Sequence, residues 1–130
     1  MARSQHFFLI AILASLATAA PLASFSANVF ASNSSGFSQE QNGLDAQKLN
    51  AQFVTLSAND SCTSDDQACV GGAFAQCVES SWMLTPCSSG LSCFALPLVA
   101  KAGTSLACDT QSDAEARFVA AGVQGGVTGN

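Results

Sequence analysis

The sequence has no tyrosine, one tryptophan, one histidine and four basic residues in 130 positions. The histidine, His6, and Arg3 precede an apolar run from Phe7 to Ala17 that is followed by small residues. This is the pattern of a secretory signal peptide over residues 1–19, with Ala17-Thr18-Ala19 as the cleavage site and a cut after Ala31 as the alternative. The run is too short to span a bilayer comfortably and lacks a stop-transfer flank, so a retained anchor is the weaker reading. Removing that segment removes the only imidazole. Histidine-based triads, histidine zinc sites and copper sites built on an N-terminal histidine are then excluded.

Charge is equally scarce. Only 10% of residues are charged and the net charge is −5. Cleavage after Ala19 leaves nine acidic residues against Lys48, Lys101 and Arg117, which makes nucleic acid and anionic membrane poor partners. Asp65-Asp66 is the nearest thing to a carboxylate pair. Adjacent loop residues do not set two carboxyls across a cleft as glycoside hydrolysis requires. The serines have no histidine to activate them. The chain therefore reads as non-catalytic, with no cofactor.

What the sequence does contain is six cysteines, at 62, 69, 77, 87, 93 and 108. An even set in a secreted chain, without C-x2-C or Cys/His spacings, indicates disulfides rather than zinc. They define a cystine-stapled domain over residues 59–122. A core this small covers only about 60% of the unfolded surface, so crosslinks are its main staple, each contributing roughly 2 to 5 kcal/mol.

The centre of that domain is Gly71 to Phe94. Ala73–Val78 and Ser81–Thr85 are short apolar-rich runs separated by Glu79-Ser80, the two-residue spacing of a β-hairpin. Neither turn residue is Gly or Asn, although a type I′ turn places both at positive φ, so strands and crosslinks must hold it. With that loop, Val78 faces Ser81, Cys77 faces Trp82, Gln76 faces Met83, Ala75 faces Leu84 and Phe74 faces Thr85. One face then carries Ala75, Cys77, Trp82 and Leu84, and the other carries Phe74, Gln76, Met83 and Thr85. The mixed second face is the natural candidate for meeting a ligand.

Around the hairpin, residues 20–43 are Ser-, Asn-, Gln- and Gly-rich in their second half and read as a flexible linker. Asn33 and Asn59 begin N-glycosylation sequons. Ala46, Leu49, Phe53 and Leu56 form one stripe of an amphipathic helix over residues 44–58. A strand ending at Pro97 and a returning strand over residues 105–108 follow. Ser112 and Glu115 form a capping box for a short helix that ends at Gly122, and residues 123–130 read as a disordered tail. The fold class is a small disulfide-rich, mainly β domain: the central hairpin, one or two further short strands and flanking short helices.

The cysteine order, with the words FAQC, WMLTPC and CSSGLSCFA, resembles carbohydrate-binding module family 19, the chitin-binding domain of fungal chitinases and of standalone secreted proteins. The resemblance covers Cys62 to about Cys108. It implies a secreted, extracellular or wall-associated monomer that binds chitin, takes part in chitin catabolism and has no catalytic role. The sequence departs at Glu79-Ser80, where relatives are expected to carry Asn-Gly, and at Phe94, where a tyrosine is expected. A pyranose packs its apolar C–H face on an aromatic ring while amides and hydroxyls bond its rim. Phe74, Gln76, Met83 and Thr85 supply that mixture. The resemblance nominates Trp82 and adds Phe94, whereas the strand register sets Trp82 beside Cys77, so which face binds stays open. By analogy with another chitin-binding module family, together with the short loop between Cys87 and Cys93, the pairing is expected to be Cys62–Cys77, Cys69–Cys108 and Cys87–Cys93. The alternative function is a small cysteine-rich secreted protein whose target is another protein, as an effector, an inhibitor or a wall component.

Overall fold

A computed structural model describes residues 36–130. The expected signal peptide, both cleavage sites, the Asn33 sequon and residues 20–35 of the expected linker lie outside the described residues. Helix α1 (Gln39–Phe53) comes first, followed by strands β1 (Gln67–Val70), β2 (Ala73–Val78), β3 (Ser81–Thr85), β4 (Ser92–Pro97) and β5 (Thr104–Asp109), and then helix α2 (Gln111–Ala120). The strands form two antiparallel sheets, β1-β2-β3 and β4-β5. The domain is thus small, mainly β and disulfide-rich, with a helix on each side in sequence.

The hairpin register is the one its two-residue loop dictates, from Val78 with Ser81 to Phe74 with Thr85. Glu79 and Ser80 both sit at positive φ, 48° and 67°, the type I′ geometry adopted by residues that disfavour it. The β1–β2 connection uses Gly71 and Gly72, at φ 58° and 81°, where glycine carries no such penalty. β1 extends the hairpin by pairing Cys69 with Phe74 and Ala68 with Ala75.

Two of the three expected cystines are different. Cys62–Cys77 is formed, but the others are Cys69–Cys93 and Cys87–Cys108, not Cys69–Cys108 and Cys87–Cys93. Cys93 and Cys108 are directly opposite one another in β4–β5. Cys93 receives Cys69 from β1 of the other sheet, and Cys108 receives Cys87 from the segment that follows β3. The two bonds therefore staple β1 and the segment after β3 to β4–β5, which a locally closed Cys87–Cys93 loop would not do. The separations of 24 and 21 residues correspond to roughly 3 kcal/mol or more each in loop entropy removed from the unfolded chain.

Helix α1 starts earlier and ends earlier than the apolar stripe indicates. Ser38 is its N-cap, accepting from the Gln41 N–H, so residues 39–43 are helical rather than linker. Its buried positions include Asn42, Gly43, Gln47 and Asn50 beside Ala46, a face that looks polar in sequence. These amides replace missing backbone partners. Asn50 Nδ2 donates to the carbonyls of Ala95 and Val127, and its Oδ1 accepts from the Ala95 N–H at 2.7 Å. Asn42 does the same for the loop after β4, donating to Leu98 and Lys101 and accepting from Gly103. Gln47 donates to the carbonyls of Gln124 and Gly126. In this way α1 covers the open edge of β4 with side-chain peptide mimics.

Those bonds also correct the expected disordered tail. Val123 is buried and Val127 packs on the core formed by Ala46, Phe94, Ala95, Leu96, Ala114 and Phe118. Helix α2 is capped by Thr110 rather than by Ser112, with the Thr110 hydroxyl accepting from the Asp113 N–H. It ends in a Schellman motif: Gly122 donates to Val119 O and Val123 donates to Phe118 O, with Gly122 at φ 90°. That turn drives Val123 inward against Gly43, where a Cβ would stand 2.9 Å from Val123 Cγ2. A second, smaller cluster of Ala68, Val70 and Ala75 is covered by Phe53, Leu56 and Trp82. Phe53 touches both clusters and joins them.

Candidate functional site

The hairpin separates the expected ligand residues into two groups. On the face away from Ala75 and Trp82, the rows across the sheet are Gln67, Gln76 and Met83, and Cys69, Phe74 and Thr85, with Val78 and Ser81 beyond them. Gln76, Met83 and Thr85 are exposed, Met83 at 60%, while Phe74 is half-buried. Strands about 4.8 Å apart and same-face residues about 7 Å apart set the spacing of these side chains on one open sheet surface. Every strand residue on it is uncharged, in a chain of net charge −5.

Trp82 lies on the opposite face. Its ring is half-buried and packs with Phe53 and Leu56 over Ala68, Val70 and Ala75. Its Nε1–H is buried with no hydrogen-bond partner among the described residues. Phe94 is separated from the platform as well. It sits on β4, 9% exposed, within the main core, so it cannot act as an exposed stacking ring on the hairpin. β4 is buried on both faces from Cys93 to Pro97, and Phe94 packs there in the cluster with Ala46, Ala114 and Phe118. Asn59 is exposed in the turn after α1, where the Ser57 N–H donates to Asp60 Oδ2 at 2.7 Å.

A second concavity has no counterpart in the linear reading. It is a cleft of about 380 Å³ where five separate segments converge: the end of α1, the Gly71-Gly72 turn, the start of β4, the first residue of α2 and the C-terminal segment at Val127-Thr128. The Cys69–Cys93 cystine stands in its wall, and the Cys93 N–H donates to Gly72 O at 2.9 Å. None of its lining residues is ionisable, since both cysteines are oxidised. The Gly71-Gly72 pair is its one local sequence signal.

Among the described residues, no group of histidine, cysteine, aspartate or glutamate side chains is arranged to hold a metal ion, and no helix is long and apolar enough to cross a membrane.

Over 53 residues the chain is 40% identical to an endochitinase of Saccharomyces cerevisiae. That alignment covers 38% of this chain and 9% of the endochitinase. No protein-family model matches the chain, and no solved structure matches it. The similarity points to a chitin-related domain.

Proposed function

We propose that the chain is a secreted, non-catalytic chitin-binding module of the family 19 type, with the polysaccharide lying on the part of the β1-β2-β3 sheet where Gln76, Met83 and Thr85 are exposed. The observation that carries this reading is the uncharged platform of Phe74, Gln76, Met83 and Thr85. A neutral polymer of N-acetylhexosamine needs apolar surface for its ring faces and amide or hydroxyl partners for its rims. Phe74 and Met83 supply the first, and Gln67, Gln76, Ser81 and Thr85 supply the second. The short similarity to an endochitinase supports the polysaccharide class. No cofactor takes part, the module acts as a monomer, and its acidity keeps it from nucleic acid and anionic membrane. An exposed Asn59 in a sequon is a site for N-glycosylation.

The test is a pull-down of the oxidised protein on insoluble chitin, with cellulose and mannan as controls. Retention on chitin alone is the expected result, and full recovery in the supernatant rejects the proposal. A second reading is favoured by one feature. β3 is a sheet edge whose Met83 and Leu84 are both exposed, on opposite faces, as suits a protein partner adding a strand. Failure on all three polysaccharides, with a partner protein whose binding is lost in Leu84→Lys, would favour it.

A further inference from the structure

We infer that the cleft beside the Cys69–Cys93 cystine is a second sugar site, which takes one end of a neutral N-acetylated oligosaccharide; the ligand class rests on the proposed chitin reading, the location does not. The volume, about 380 Å³, lies at the lower end of the roughly 300–1,000 Å³ usual for small-molecule sites. That is room for one or two sugar residues. Segments enter the cleft from several sides, so it receives a chain end, in contrast to the open platform of the hairpin.

The lining selects the chemistry. With no ionisable side chain in the wall, a charged ligand would find no counter-charge to offset its desolvation. Phe53, Val54 and Leu56 give an apolar side, and Ser92, Gln111 and Thr128 give hydroxyls and an amide. An acetamido group needs such a pairing, with its methyl on the apolar side and its N–H and C=O on polar partners. Gln111 Nε2 already donates to Glu115 Oε1 at 2.7 Å, which leaves Gln111 Oε1 to accept from an amide N–H. At Gly71 a Cβ would meet nothing within 4 Å. The open space over that glycine lets a ligand approach the backbone closely, and a side chain there would obstruct it.

The decisive experiment is titration of the oxidised protein with N,N′-diacetylchitobiose, followed by amide NMR. Saturable shifts are expected at Gly71, Gly72, Ser92, Gln111 and Thr128. Ser92→Trp, which fills the cleft from an exposed strand end, should weaken binding at least tenfold with an unchanged thermal midpoint. Thr128→Trp fills the same space from the opposite wall and stands in if Ser92→Trp does not fold. Shifts confined to Gln76, Met83 and Thr85, or undiminished affinity in the filled variants, overturn the cleft site and leave the platform reading intact. An absence of shifts in a protein that still adheres to insoluble chitin likewise overturns the cleft alone. An absence of both shifts and adhesion overturns the two together.

Discussion

Trp82 is the residue on which the resemblance and the structure give opposite expectations, so its substitution is the most informative perturbation of the platform. Truncating a fully buried tryptophan to alanine costs about 3–5 kcal/mol. Trp82 is half-buried, over Ala68, Val70 and Ala75, so Trp82→Ala should cost about half of that, roughly 2 kcal/mol. In a domain of this size each kcal/mol corresponds to roughly 4–8 °C, which places the thermal midpoint on the order of 8–16 °C lower. Trp82→Phe separates packing from polarity. It gives up part of the ring but also removes the buried, unpartnered Nε1–H, whose desolvation costs about 1–3 kcal/mol. The two effects nearly cancel, and the midpoint should stay within a few degrees of the parent, about 1 kcal/mol at most. Met83→Ala, on the opposite face, should leave the midpoint unchanged and reduce retention on chitin. The assay is retention and thermal midpoint for all three variants under oxidising conditions. A Trp82→Ala protein of parental stability that no longer binds would refute the assignment of faces. A stable Trp82→Phe protein that loses binding would refute that assignment as well, because the buried Nε1–H faces away from the platform.

Three further outcomes follow from the fold. Asn50→Leu leaves the Ala95 N–H and two carbonyls unpaired, at about 1–3 kcal/mol for each group that stays dry, so the midpoint should fall by more than 10 °C and hydrogen exchange at Ala95 should accelerate. Replacing both turn residues, Glu79→Asn with Ser80→Gly, removes two unfavourable positive-φ residues and should raise stability by about 1–2 kcal/mol, read as a higher denaturation midpoint with the same m-value. Gly43→Ala gains helix propensity but drives a Cβ to 2.9 Å from buried Val123; a net loss of about 1 kcal/mol is expected, relieved in the double variant with Val123→Ala and measured as a thermodynamic cycle.

The parts of this protein that are legible from its sequence are those set by neighbours along the chain. Two residues between two alternating runs allow one hairpin register, and that register alone decides that Trp82 shares a face with Ala75 and Cys77 while Met83 shares one with Phe74 and Gln76. The Gly122 helix stop is local in the same sense, and the class of small stapled β domain follows from an even set of cysteines in a short chain. The cystine partners are not local. Cys69 and Cys87 find Cys93 and Cys108 only because β1 and the segment after β3 come against β4–β5, where the two cysteines are directly opposite, a relation that spacing cannot encode. The buried face of α1 was hidden for another reason: Asn42, Gln47 and Asn50 read as solvent-facing by polarity, yet they are interior because each completes backbone hydrogen bonds of a distant segment. The docking of residues 123–127 depends on those same bonds. The cleft needs five segments to exist, so tertiary packing decided it and the order of residues left only the Gly71-Gly72 turn as a trace.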